Sequence, residues 1–173
     1  LLLSKKAILV EGDSDELIVQ RAYMDSHAGK LPISDGIDII SVGTSFLRFL
    51  EIAKILELRV SVITDNDGNI EALNKKYSDY LGDNCCRNIK ICFDDSVCEY
   101  DGSLKNYNYN TLEPNIYRSN SMSILNEVLN KSYKKPDDLL KYMKGNKTEV
   151  ALKIFESEKD IEFPKYIKDG ISI

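Results

Sequence analysis

Four short apolar runs, separated by stretches with helical spacing, constrain this chain more than any other feature. Ala7-Ile8-Leu9-Val10 and segments 37–42, 59–64 and 88–93 are rich in Ile, Val and Leu. Between them, apolar residues recur every three or four positions, as on one face of a helix. A β-α-β-α-β-α-β order needs crossover connections, so the strands must run parallel with helices covering the sheet. The expected fold is α/β: a mostly parallel four-stranded sheet flanked by helices, with additional C-terminal helices.

The connecting segments carry their own punctuation. Ser14 is placed to cap a first helix, with Leu17, Ile18, Arg21 and Ala22 at helical spacing. Thr44 or Ser45 can cap a second, whose apolar positions include Phe46, Phe49, Leu50, Ala53 and Leu56. A third helix is expected over 70–81. Segment 94–110 is polar, rich in Asn and Tyr, and reads as a long loop. Segment 111–116 reads as a short edge strand stopped by Pro114. Three helices are expected after it, at 123–132, 136–144 and 147–158, with Pro136 in a first turn.

A chain of 173 residues fits one domain, 1–173, with a core over about 5–118 and a helical part over about 119–173. No apolar run approaches the ~18 residues that span a bilayer, so no membrane partner is expected. Leu1-Leu2-Leu3 is too short for a signal-peptide core. Because the chain starts at Leu rather than Met, a further upstream segment is expected. Cys85, Cys86, Cys92 and Cys98 lack the paired C-x₂₋₄-C spacing of zinc sites, and His27 is remote. They read as reduced thiols in a cytoplasmic protein, Cys92 in a strand and the others in turns. A net charge of −5 argues against an extended basic nucleic-acid-binding face. It leaves phosphodiester chemistry open, since acids that hold a cation inflate the negative count.

The acids are the second constraint. Glu11-Gly12-Asp13-Ser14-Asp15 follows the first strand directly, and Asp65-Asn66-Asp67-Gly68 follows the third. In open parallel sheets, ligands bind beyond the carboxyl ends of the strands, the edge that Glu11, Gly43 and Asp65 share. Hard divalent cations take oxygen donors, often one or two carboxylates with water and phosphate. Asp65 and Asp67, two residues apart, point the same way if the backbone stays extended. Asp15, one turn into the helix, would face back to the same cleft. Asp13 and Ser14 read as helix caps, and Asp-Asn-Asp-Gly is also a good turn sequence. A calcium loop is excluded, because Gly68 falls at the fourth position of the motif rather than the sixth.

Strand-Glu-Gly-x-Ser-Asp followed by strand-Asp-x-Asp resembles the Toprim domain shared by topoisomerases, primases, recombination-repair proteins and a group of nucleases. The opening Leu2-Leu3-Ser4-Lys5-Lys6-Ala7-Ile8-Leu9-Val10-Glu11-Gly12 is similar to that of the OLD (overcoming lysogenization defect) nucleases. Leu112-Glu113-Pro114-Asn115 and Gly145-Asn146-Lys147-Thr148-Glu149-Val150-Ala151-Leu152 resemble that family's later acid and lysine motifs.

The resemblance implies a Toprim-like fold and a metal-dependent DNA endonuclease, the catalytic C-terminal part of an ATPase-linked protein. It implies Mg2+ or Mn2+, one or two ions, shared by Glu11, Asp15, Asp65, Asp67 and Glu113. One ion would activate the attacking water, and both would stabilise the in-line transition state. Glu11, Asp65 and Lys147 would be catalytic, with Lys147 near the scissile phosphate. Gly12 and Gly43 would let the backbone approach phosphate, and Thr64 would add a hydroxyl contact. Asp15 departs from the glutamate that many members carry. The partners implied are DNA and an upstream ABC-type ATPase domain, through which the protein would form a homo-oligomer. No Gly-x-x-x-x-Gly-Lys-Ser/Thr loop occurs in this chain, so ATP binding is not encoded in it. The rival readings are another Toprim enzyme, such as a primase or topoisomerase fragment, and a non-catalytic metal- or phosphate-binding module.

Overall fold

The computed structural model describes residues 5–173; Leu2, Leu3 and Ser4 of the opening motif lie outside the described residues. Four strands, β1 (Lys6–Val10), β2 (Ile37–Ser41), β3 (Arg59–Ile63) and β4 (Ile89–Cys92), form one sheet in the order β2-β1-β3-β4. Every pairing is parallel, with Val10 opposite Ser41, Leu9 opposite Val62, and Val62 opposite Ile91. The central strands are apolar on both faces because both faces are covered.

Alternate residues feed two cores. On one face, Ala7, Leu9, Val60, Val62 and Ile89 pack under α2 (Phe46–Ile55) and α3 (Ile70–Lys76), through Phe46, Leu50, Ala53, Leu73 and Tyr77. On the other, Ile8, Val10, Ile37, Ile63 and Cys92 meet α1 (Asp13–Ser26) and the helices that follow the loop. Those are α4 (Leu112–Ser119), α5 (Met122–Leu129), α6 (Pro136–Gly145), α7 (Lys147–Glu156) and α8 (Lys165–Ile171). The C-terminal helices therefore complete the sheet's second layer.

Several expectations need correction. Segment 111–116 is the start of α4, not an edge strand. Pro114 sits in the first helical turn, where a missing N–H breaks no intrahelical bond. The third helix ends at Lys76 rather than 81, and 3₁₀ turns follow at Ser78–Tyr80 and Gly82–Asn84. The tighter turn lets Tyr77 and Tyr80, three residues apart, both reach the core. The first helix is capped by Gly12 rather than Ser14, with the Asp15 carboxylate accepting the Gly12 N–H at 3.2 Å. Helix α5 begins at Met122, where the Ser121 hydroxyl accepts the Ile124 N–H, and ends at left-handed Asn130. Helix α8 has no counterpart among the expected elements. Segment 94–110 carries no helix or strand, as its composition indicated. His27 closes α1, stacked on Tyr23.

Two contacts position the helices that reach the site. Arg21, expected on the apolar stripe of α1, is buried and donates to the carbonyls of Ile154 (2.6 Å), Lys159 (2.9 Å) and Ser157. A cation thus meets the negative end of α7. Gly170 lets α8 lie directly on β3, where a Cβ would fall 2.3 Å from Ile63 Cγ1.

Candidate functional site

Beyond the carboxyl ends of β1 and β3 lies a cleft of about 320 Å3. Its walls include Glu11, Gly12, Asp15, Asp65, Asp67, Glu113 and Lys147, contributed by segments far apart in the chain. Gly43 and Thr64 are not among its lining residues. Gly43 adopts φ +57° and donates its N–H to the Glu11 carbonyl at 2.9 Å, so it shapes the β1 exit from outside. Thr64 is buried, and its backbone N–H bonds the Cys92 carbonyl at 3.1 Å. Its place is beneath the Asp65 turn.

The turn after β3 is not the extended segment that would align Asp65 with Asp67. Asp67 has φ +51° and is exposed, with Oδ1 accepting from Asn108 Nδ2 at 3.2 Å. The intervening Asn66 is buried and causes the bend. Its amide donates to the carbonyls of Asp94 and Ser96, both at 2.7 Å, and its Oδ1 accepts the Gly68 N–H at 2.8 Å. Both aspartates still line the cleft, Asp65 half-buried and Asp67 exposed.

Asp65 is held from two sides. Its Oδ2 accepts the Leu112 N–H at 2.8 Å, and its Oδ1 accepts the Tyr166 hydroxyl at 3.2 Å. Burial pushes its carboxyl well above the usual carboxylate range, reinforced by the charge of Asp15 and opposed by the Leu112 N–H. Asp15 is pushed up to about 6, mainly by burial, with the Gly12 N–H opposing and the charges of Glu11 and Glu113 adding. Glu113, only 4% exposed, faces Lys147 Nζ at 3.3 Å. Partial burial pulls the Lys147 ammonium down, but Glu113, with Asp65 and Asp15 behind it, outweighs that and holds it above its ordinary value.

Main-chain geometry offsets some of this crowding. The first turns of α1, α4 and α7 all line the cleft, through Asp13 and Ser14, Leu112 and Glu113, and Lys147 and Thr148. Helix N-termini present unpaired N–H groups and a partial positive charge, which favours carboxylates there. Tyr166 and the Leu112 N–H escape a reading of the sequence, since both depend on elements that it does not suggest.

Oxygen donors gathered in one cleft, with protons held against their normal acidity, fit a hard divalent cation. Among the described residues, no three acids, cysteines or histidines converge closely enough to form a ready-made ion site. The reason is visible in the bonding: Lys147 draws in Glu113, and Asn108 holds Asp67.

Residues 2–67 match the family model described as "Overcoming lysogenization defect protein-like, TOPRIM domain". Over that stretch the chain is similar to an OLD-like Toprim domain. The match takes in Glu11, Asp15, Asp65 and Asp67, whereas Glu113 and Lys147 lie beyond it. The fold as a whole also resembles the C-terminal region of the Burkholderia pseudomallei OLD protein. There the TM-score is 0.69 at 18% identity, covering 97% of this chain and 95% of that one. The C-terminal region of the Xanthomonas campestris pv. campestris OLD protein gives a TM-score of 0.60 at 18% identity, covering 99% and 94%. At such identity the likeness is one of fold. No curated protein matches the chain. Among the described residues, no helix is long and apolar enough to cross a membrane. The four cysteines are free thiols, with Cys92 in β4 and the others outside the strands and helices.

Proposed function

We propose that this OLD-like Toprim domain cleaves DNA by cation-dependent phosphodiester hydrolysis, as the C-terminal part of a protein with an upstream ABC-type ATPase domain. The observation that carries the reading is the convergence of Glu11, Asp15, Asp65, Asp67 and Glu113 with Lys147 in one cleft. Residues 5–118 and 119–173 contribute jointly to that cleft and act as one unit in this reading.

The five carboxylates would hold Mg2+ or Mn2+, one or two ions, which supply Lewis-acid stabilisation of the phosphoryl oxygens and a more acidic water. Glu11, exposed at the β1 exit, is free to engage a cation from the mouth of the cleft. Asp65 is fixed by Leu112 and Tyr166. Lys147, paired with Glu113 in this structure, would supply a positive charge to offset that developing on the leaving oxygen. The first turns of α1, α4 and α7 favour the phosphate's negative charge.

The acidic net charge leaves most of the DNA affinity to the upstream domain, which would also bring the chains together as a homo-oligomer. Free thiols suit the cytoplasm.

The test is cleavage of plasmid and linear DNA by the full-length protein with Mg2+ or Mn2+. Glu11→Ala and Asp65→Ala should each abolish it. DNA left intact by a protein that binds Mn2+ in calorimetry would replace the nuclease with a binding module.

A further inference from the structure

We propose that Tyr166 is a positioning residue that fixes the Asp65 carboxylate for cation binding. The inference rests on reading the cleft as a cation site.

Tyr166 lies on α8, is 5% exposed, and points its hydroxyl at Asp65 Oδ1. The Leu112 N–H holds Oδ2 from α4. Two donors from separate elements fix the plane of the carboxylate, and each oxygen keeps lone pairs for the cleft that Asp65 lines. This is how outer partners orient ligands at metal centres.

Gly170, one turn beyond Tyr166, gives α8 its close seat on β3 and brings the phenol within reach.

A buried tyrosine also finds acceptors for purely structural reasons, so the test must read more than stability. Mn2+ is titrated calorimetrically into the full-length wild type, Tyr166→Phe and Asp65→Asn, with Tm measured for each. Tyr166→Phe should raise the Mn2+ Kd about 10-fold with Tm nearly unchanged. Unchanged affinity in Tyr166→Phe, where Asp65→Asn abolishes binding, overturns the proposal and leaves the cation reading standing. A wild-type protein that takes up no Mn2+ overturns both.

Discussion

Glu113 Oε1 and Lys147 Nζ stand 3.3 Å apart, the acid side chain 4% exposed and the lysine side chain 52% exposed. The pair joins the first turns of α4 and α7 and gives the cleft an internal counterion. Removing a partner from a fully buried pair costs about 3–5 kcal/mol; solvent around the lysine reduces that here. Lys147→Met should therefore destabilise the chelator-treated protein by about 1–2 kcal/mol. Saturating Mn2+ should remove most of the difference, because the cation replaces the ammonium. Thermal unfolding with chelator and with Mn2+ reads both, and a deficit that persists in Mn2+ counts against the exchange.

Asp15 and Asp65 place charge where burial and neighbouring acids oppose it. Asp15→Asn should stabilise the metal-free protein by about 1–2 kcal/mol at neutral pH while weakening cation binding. Urea unfolding paired with Mn2+ titration checks the two effects together. A variant that loses both stability and binding would show that the acids are not under mutual strain.

The Asp15 shift sets a pH dependence. Its folded pKa is about 6 against an ordinary 3.8, so the folded state binds the extra proton. The resulting loss of stability begins as pH rises through 3.8 and is complete above about 6. A divalent cation needs the ionised form and competes with that proton. The Tm gain from Mn2+ should therefore be larger at about pH 7.5 than at about pH 5. Equal gains at both would rule Asp15 out as a ligand.

Gly170 sits where a Cβ would press within 2.3 Å of Ile63. Gly170→Ala should cost about 2 kcal/mol, as overpacking does elsewhere, and weaken Mn2+ binding by lifting Tyr166 from Asp65. Chemical unfolding measures the first effect and calorimetry the second. Retained affinity in a destabilised Gly170→Ala protein would separate the seat of α8 from the site.

The sheet was legible because parallel strands covered on both faces leave continuous apolar runs, as in Ala7-Ile8-Leu9-Val10. The acids at the ends of β1 and β3 were legible for a related reason, since topology assigns those ends to one edge. Glu113 and Lys147 reached the cleft by resemblance to a family motif, not by spacing. What was lost depended on tertiary contact. Pro114 reads as a strand stop, yet the Leu112 N–H finds Asp65 and a helix begins there. The bend at Asp67 follows from the burial of Asn66, which the turn sequence does not reveal. Helix α8 is seven residues long and contains a glycine, so its stability comes from the sheet beneath it.

The hold that Arg21 has on the end of α7 is made entirely with carbonyl oxygens, which every residue possesses. The stretch over 155–159 is therefore free to change its side chains without releasing the helix that carries Lys147. Position 21 has no such latitude: a lysine there offers one compact donor group in place of a planar fork. Diversity among relatives should gather on the loop, while the far end of α1 keeps its guanidinium.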